Sequence, residues 1–306
     1  MAHKTPSKTP MHVLCTMPGK YGDILWALPT VRAIAQHLEE KVDLMVSAAY
    51  SNICPLIQEQ FYINRCVANL DWIERPDGGV APFAPYRPAA VDADDTKIFF
   101  PADDDGNPIG EYDRIIHLGY QRWPQNQLAY EIYLSAVAQW GFALTTSLEL
   151  DVPWIEVPPL PDDAMPPPPT DVLICWSEEW AELKAGVAGA VSFALHPKHH
   201  TPFVRPRHSR YYEWPMGLSL DDAPWEQTAI WMAKASIVLT CLSAQWVLAN
   251  ALGKTVVVME PAEARHNPIF FYDAPRNHLV LGNDGKPTFD ARAVVEAVKA
   301  RLTDAG

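Results

Sequence analysis

Basic residues are in short supply in this chain. Its 306 residues hold 24 Lys and Arg against 37 Asp and Glu, a net charge of -13, with an isoelectric point near 5.1. Nucleic-acid affinity rests mainly on basic charge neutralising phosphates, so this balance argues against a general polyanion binder and leaves local basic clusters for a small phosphate. Cysteine is scarce as well: Cys15, Cys54, Cys66, Cys175 and Cys241 are widely spaced, odd in number and mostly inside apolar runs, with no CxxC spacing. That pattern suits reduced, buried thiols. No apolar run reaches the length of a transmembrane helix, and Met1 to Pro10 lacks the apolar core of a signal peptide, so a cytoplasmic protein is expected.

What is present is a strand, a glycine loop and a helix in immediate succession. The apolar run Met11 to Met17 leads into Pro18-Gly19-Lys20-Tyr21-Gly22-Asp23, and Ile24, Ala27, Leu28, Val31, Ile34, Ala35 and Leu38 then repeat at helical spacing. The loop therefore ends at a helix N-terminus, where unpaired N–H groups favour an anion or a carboxylate cap. Asp23 sits at that junction and reads either as an N-cap or as a functional carboxylate. Ligands of open parallel sheets gather at the carboxyl ends of strands, where this loop lies.

The first half continues as βαβ logic, with helix to Glu40, strand Val42 to Ser47, helix near Ser51 to Gln60 and strand Arg65 to Leu70. Residues Asp77 to Gly110, rich in Pro, Asp and Gly, read as a long loop; strand Arg114 to Leu118 and a helix from Gln127 to Trp140 follow. Prolines crowd Val152 to Thr170, which reads as a stiff linker between domains spanning 11–151 and 171–306. A polyproline recognition motif is the alternative, and it lacks supporting basic residues. The second half alternates again: strand Asp171 to Trp176, helix Glu178 to Ala190, strand Val191 to Leu195, helix Trp225 to Lys234, strand Ile237 to Thr240, helix Ala244 to Leu252, strand Thr255 to Met259 and a last helix Ala291 to Leu302. Strands apolar on both faces, such as Ile237-Val238-Leu239 and Val256-Val257-Val258, indicate parallel sheets covered by helices. Two doubly wound halves place a cleft between them, where ligands usually bind.

The stretch from Gly22-Asp23-Ile24-Leu25-Trp26 to Leu28-Pro29-Thr30-Val31-Arg32 resembles the N-terminal signature of glycosyltransferase family 9, the heptosyltransferase-like enzymes. A second block, Ala235 to Gln245 continuing through Leu248-Ala249-Asn250-Ala251-Leu252-Gly253-Lys254, looks like that family's donor-site strand, turn and helix. The resemblance covers Met11 to Leu302. It implies an α/β GT-B fold of two Rossmann-like domains facing each other across a cleft, acceptor binding in the first and nucleotide-sugar binding in the second. It implies no cofactor and no metal, a nucleotide-diphosphate sugar as donor, and a glycan or other hydroxyl acceptor; net acidity argues against nucleic acid in that place. Asp23 is then the general base that takes the acceptor hydroxyl's proton.

The chain also departs from the family pattern. Leu242, Ser243 and Ala244 stand where aspartate, serine or threonine and glycine are usual, and Val247 where a histidine is usual. Ser243 can still cap the following helix, with Ala244 and Gln245 presenting N–H groups to a diphosphate. On the acceptor side Lys20 and Gly22 join Tyr120, Gln121 and Arg122, which follow a strand end. On the donor side, Lys198 and His199 follow the expected strand Val191 to Leu195, Arg205 lies just beyond, and Glu260 precedes Arg265 and His266. Cations there would stabilise the leaving diphosphate, and Glu260 would accept ribose hydroxyls or cap its loop. His196, His199 and His200 also suggest a metal, but no carboxylate accompanies them in sequence. Two readings stay open: a glycosyltransferase, favoured by Gly22-Asp23, and a catalytically inactive GT-B-like nucleotide- or glycan-binding protein, favoured by the altered second block.

Overall fold

The structure, a computed structural model, describes residues 11–70, 90–91, 98–99, 111–119, 127–140, 148–160, 166–167, 169–175, 181–204, 224–260, 274–282 and 289–304. The first half runs β1 (Val13–Met17), α1 (Tyr21–Leu38), β2 (Val42–Ser47), a 3-10 turn (Ala48–Ile53) leading into α2 (Cys54–Gln58), and β3 (Ile63–Leu70). Three short strands follow, β4 (Ala90–Val91), β5 (Ile98–Phe99) and β6 (Glu111–Tyr112), then β7 (Arg114–His117) and α3 (Leu128–Trp140). The second half runs β8 (Val172–Cys175), α4 (Ala181–Leu195), β9 (Phe203–Val204), α5 (Trp225–Lys234), β10 (Ile237–Thr240), α6 (Ala244–Ala251), β11 (Thr255–Glu260), β12 (Asn277–Leu281) and α7 (Ala291–Asp304).

Two parallel sheets result, in the orders β3-β2-β1-β7 and β12-β11-β10-β8-β9. Their central strands are buried on both faces, as the unbroken apolar runs require. One core cluster joins α1, α2 and α3 of the first half to α5 and α6 of the second, and a separate cluster lies under α4 and α7. Helix α1 is buried almost all round, Thr30 and Arg32 included, because it lies between the first sheet and α6.

The proline-rich stretch begins inside this shared core. Trp154 is only 2% exposed; its ring stacks on Trp26 at 5.6 Å, and Trp26 meets Trp246 of α6 edge-on at the same distance. Pro29 has no N–H to give the carbonyl of Leu25 one turn earlier, and the Trp154 indole N–H donates to that carbonyl at 3.3 Å. Arg32 donates to the carbonyls of Glu149 and Pro153. From the other half Arg276 donates to the carbonyls of Leu150 and Asp151.

Several expectations need correcting. Helix α1 begins at Tyr21 rather than Ile24, because Tyr21, Gly22 and Asp23 complete its first turn and the Ile24 N–H reaches the Lys20 carbonyl at 2.9 Å. Val191 to Leu195 is the end of α4, not a strand. Val187, Ala188, Val191 and Leu195 share one buried face at helical spacing while Phe193 is 82% exposed, which a strand with alternating faces would not allow. Within the stretch read as a loop, β4 and β5 pair antiparallel, and β5 pairs with β6. β9 and β12 are further strands that the sequence reading did not include.

Candidate active site

In each sheet one strand pair marks where the winding reverses: β1 and β7 in the first, β10 and β8 in the second. Such switch points are where doubly wound sheets bind ligands. Helix α1 leaves the carboxyl end of β1 and α6 leaves that of β10, and the two helix starts touch. A Cβ built on Gly22 would stand 3.8 Å from Ala244 Cα and from Val247 Cγ2. A third helix start joins them: the ring of Trp225, first residue of α5, lies 4.9 Å from that of Tyr21, first residue of α1. Helix starts carry partial positive charge and unpaired N–H groups, so this junction favours an anion.

Asp23 is the third residue of α1, and its Oδ2 accepts the Lys20 backbone N–H at 2.9 Å. The carboxylate therefore folds back over the loop instead of occupying the N-cap, which is Lys20, whose ammonium side chain has no acceptor to cap with. Gly19 makes room for it: a Cβ there would lie 2.4 Å from Asp23 Cβ and 2.8 Å from its Oδ2. Tyr21 is fixed by a hydrogen bond from its hydroxyl to Asn52 Oδ1 and by an edge contact with Tyr50 at 4.6 Å. Nearby in the first sheet, Thr16 Oγ1 and His117 Nδ1 are 2.9 Å apart, and burial holds the His117 pKa below its ordinary value.

On the α6 side, Ser243 is the N-cap; its hydroxyl oxygen accepts the Trp246 N–H and its O–H donates to the Cys241 carbonyl. With Ser243 engaged, Ala244 and Gln245 occupy the first turn, where helix geometry leaves N–H groups without intrahelical partners. Glu260 ends β11 at the same sheet edge, and its Oε1 accepts the Leu242 N–H. Ser243 and Glu260 are thus brought together, Glu260 in the loop-capping position.

Lys198 and His199 are not part of this arrangement. They follow the end of a helix instead of a strand, and the Asp171 and Val172 N–H groups donate to the His200 carbonyl at the amino edge of the second sheet. A carboxylate does accompany these histidines, since Asp171 Oδ2 accepts the His200 N–H at 2.7 Å and lies 3.7 Å from His199 Nδ1. Even so, among the described residues no cluster of three or more His, Cys, Asp or Glu is placed to hold a metal ion. Tyr120, Gln121, Arg122, Arg205, Arg265 and His266 lie outside the described residues. The sequence reading passed over Lys184, a lysine only 3% exposed in the first turns of α4, and over Tyr21, Asn52 and Trp225. A lysine within an apolar helix pattern was the available signal for the first; nothing local marks the others.

No protein-family model and no curated protein matches the chain. Solved structures do. A glycosyl transferase family 9 protein from Veillonella parvula is 13% identical with a TM-score of 0.59, over 96% of this chain and 97% of its own. Heptosyltransferase WaaC from E. coli, with ADP-2-deoxy-2-fluoro heptose, is 12% identical with a TM-score of 0.60, over 95% and 99%. ADP-heptose lps heptosyltransferase II from E. coli is 11% identical with a TM-score of 0.59, over 96% and 99%. The chain has the heptosyltransferase-like GT-B fold, and among its described residues no helix is long and apolar enough to cross a membrane.

Proposed function

We propose that this GT-B chain is a glycosyltransferase that moves a sugar from a nucleotide-diphosphate donor to an acceptor hydroxyl, without a metal and in the cytoplasm. The observation that carries the reading is the carboxylate of Asp23, seated over Gly19 at the start of α1 where α1 meets the start of α6. In the step proposed, the acceptor oxygen bonds to the anomeric carbon, the bond from that carbon to the diphosphate breaks, and Asp23 takes the hydroxyl proton. The N–H groups of Ala244 and Gln245 supply hydrogen bonds to the departing diphosphate. Since WaaC has been solved with ADP and with an ADP-heptose analogue, ADP-sugars are the first donors to try.

A second reading, an inactive nucleotide- or glycan-binding protein, is favoured by Leu242, Ala244 and Val247. Incubating the protein with ADP-, UDP-, GDP- and CDP-sugars without acceptor separates the two. Thermal stabilisation by one donor with slow sugar release supports the enzyme; stabilisation without release supports a nucleotide-binding protein; no response to any donor counts against both of these and leaves only a glycan-binding protein.

Gly19→Ala provides a check of the seat itself. The added methyl group overlaps Asp23 Cβ, which no side-chain rotation can clear, so the backbone at the start of α1 must shift and carry the carboxylate with it. Transfer is expected to fall by about 100-fold, the usual scale for such a misplacement, with circular dichroism unchanged. Full transfer by this variant would show that the observed seat of Asp23 is not the working one.

A further inference from the structure

Residues 149–156 are hydrogen-bonded to both halves of the chain. From the first half, Arg32 of α1 donates to the Glu149 carbonyl at 3.1 Å and to the Pro153 carbonyl at 2.9 Å. The Tyr62 hydroxyl donates to the Trp154 carbonyl at 2.8 Å, and Gln60 pairs with the backbone of Glu156, accepting its N–H at 2.7 Å and donating to its carbonyl at 3.2 Å. From the second half, the Ala251 carbonyl at the end of α6 accepts the Trp154 and Ile155 N–H groups at 2.9 and 3.2 Å, and Arg276 donates to the carbonyls of Leu150 and Asp151. Gly253, with a left-handed φ of 69°, seats Pro153: a Cβ there would stand 2.9 Å from Pro153 Cγ. Arg32, Gln60 and Tyr62 are buried, so water does not readily replace a bond that breaks.

We propose that residues 149–156 are a cross-brace that fixes the two halves against each other, so that the junction where α1, α5 and α6 begin is preformed and a ligand enters it without the halves swinging about the proline-rich stretch. A hinge absorbs rotation in a few residues whose backbone is free to turn. Here the anchors alternate along the chain: Glu149 to the first half, Leu150 and Asp151 to the second, the Pro153 carbonyl to the first, the Trp154 N–H to the second and its carbonyl to the first, the Ile155 N–H to the second, and Glu156 to the first. No cut along the segment assigns it to one half, so rotating either half breaks one set of bonds. Contacts between domains of one chain are usually modest and permit movement unless they are large and apolar. This one is apolar and continuous, since Trp26, Trp154 and Trp246 belong to a single buried cluster drawn from both halves. The rings of Tyr21 and Trp225, 4.9 Å apart, join the halves at a second place.

The test is amide hydrogen exchange on the ligand-free protein, resolved to single residues by fragmentation mass spectrometry and corrected for intrinsic rates. The Trp154 and Ile155 amides report on the bonds to the second half, and the Glu156 amide on the bond to the first. All three are expected to be protected to within about 10-fold of Cys15 in β1 and Leu239 in β10, because each can exchange only when the shared core opens. Weaker protection at Glu156 alone would mean that the segment rides on the second half, and weaker protection at Trp154 and Ile155 alone that it rides on the first. Weaker protection at all three would make it a free linker. Any of these outcomes overturns the proposal. The measurement uses neither donor nor acceptor, so its failure is distinct from failure of the proposed transferase activity.

Discussion

Asp23→Asn is expected to lower sugar transfer by about 100-fold or more, the usual scale for losing a general base, while leaving donor affinity nearly unchanged. The substitution suits the geometry, because the carboxylate oxygen Oδ2 accepts the Lys20 N–H at 2.9 Å and an amide oxygen can accept the same bond. Shape and loop anchoring are retained, and the capacity to take a proton is removed. Steady-state transfer with the best donor and an acceptor found for it, together with calorimetric donor binding, separates the two quantities. Near-normal turnover would reduce Asp23 to an anchor for the loop and leave the mechanism without a base.

Trp154→Ala is expected to cost about 3–5 kcal/mol of folding stability, the range for truncating a buried aromatic. Three losses combine at one position: the ring stacked on Trp26, the filled volume in a core shared by both halves, and the indole N–H that satisfies the Leu25 carbonyl. That is a large share of the roughly 5–15 kcal/mol holding a typical protein folded. Urea titration should show a much lower midpoint. Trp154→Phe keeps most of the ring and loses the N–H, so it should cost about 1 kcal/mol for the hydrogen bond, plus a small packing loss. An alanine variant as stable as the parent would mean that the halves are not held together at this point.

The parts of the fold legible in sequence were those whose residues carry their own signal. β1, β2, β10 and β11 are apolar runs buried on both faces, and the loop through Gly19 and Gly22 announces the start of α1. What was not legible depends on partners. β12 reads Asn-His-Leu-Val-Leu and is strand because it registers against β11, and β4, β5 and β6 are two residues each, held by one another. The misreading of Val191 to Leu195 had the widest effect. In an alternating α/β chain every element reverses direction, so taking the end of a helix for a strand moved Lys198 and His199 from the amino edge of the sheet to its carboxyl edge. Ser243 and Glu260, placed from correctly read elements, met as expected at one edge.

Pro29 makes α1 incomplete by itself, since the carbonyl of Leu25 waits for a donor 129 positions further along the chain. During synthesis or refolding the first sheet can assemble before residue 154 exists or arrives, but its central helix then keeps a bare carbonyl and an uncovered tryptophan at Trp26. The two halves are thus separate in winding yet joined in cooperativity. A fragment ended at residue 151 would lack the residue that finishes its first helix, whereas one extended past Ile155 would carry its own plug.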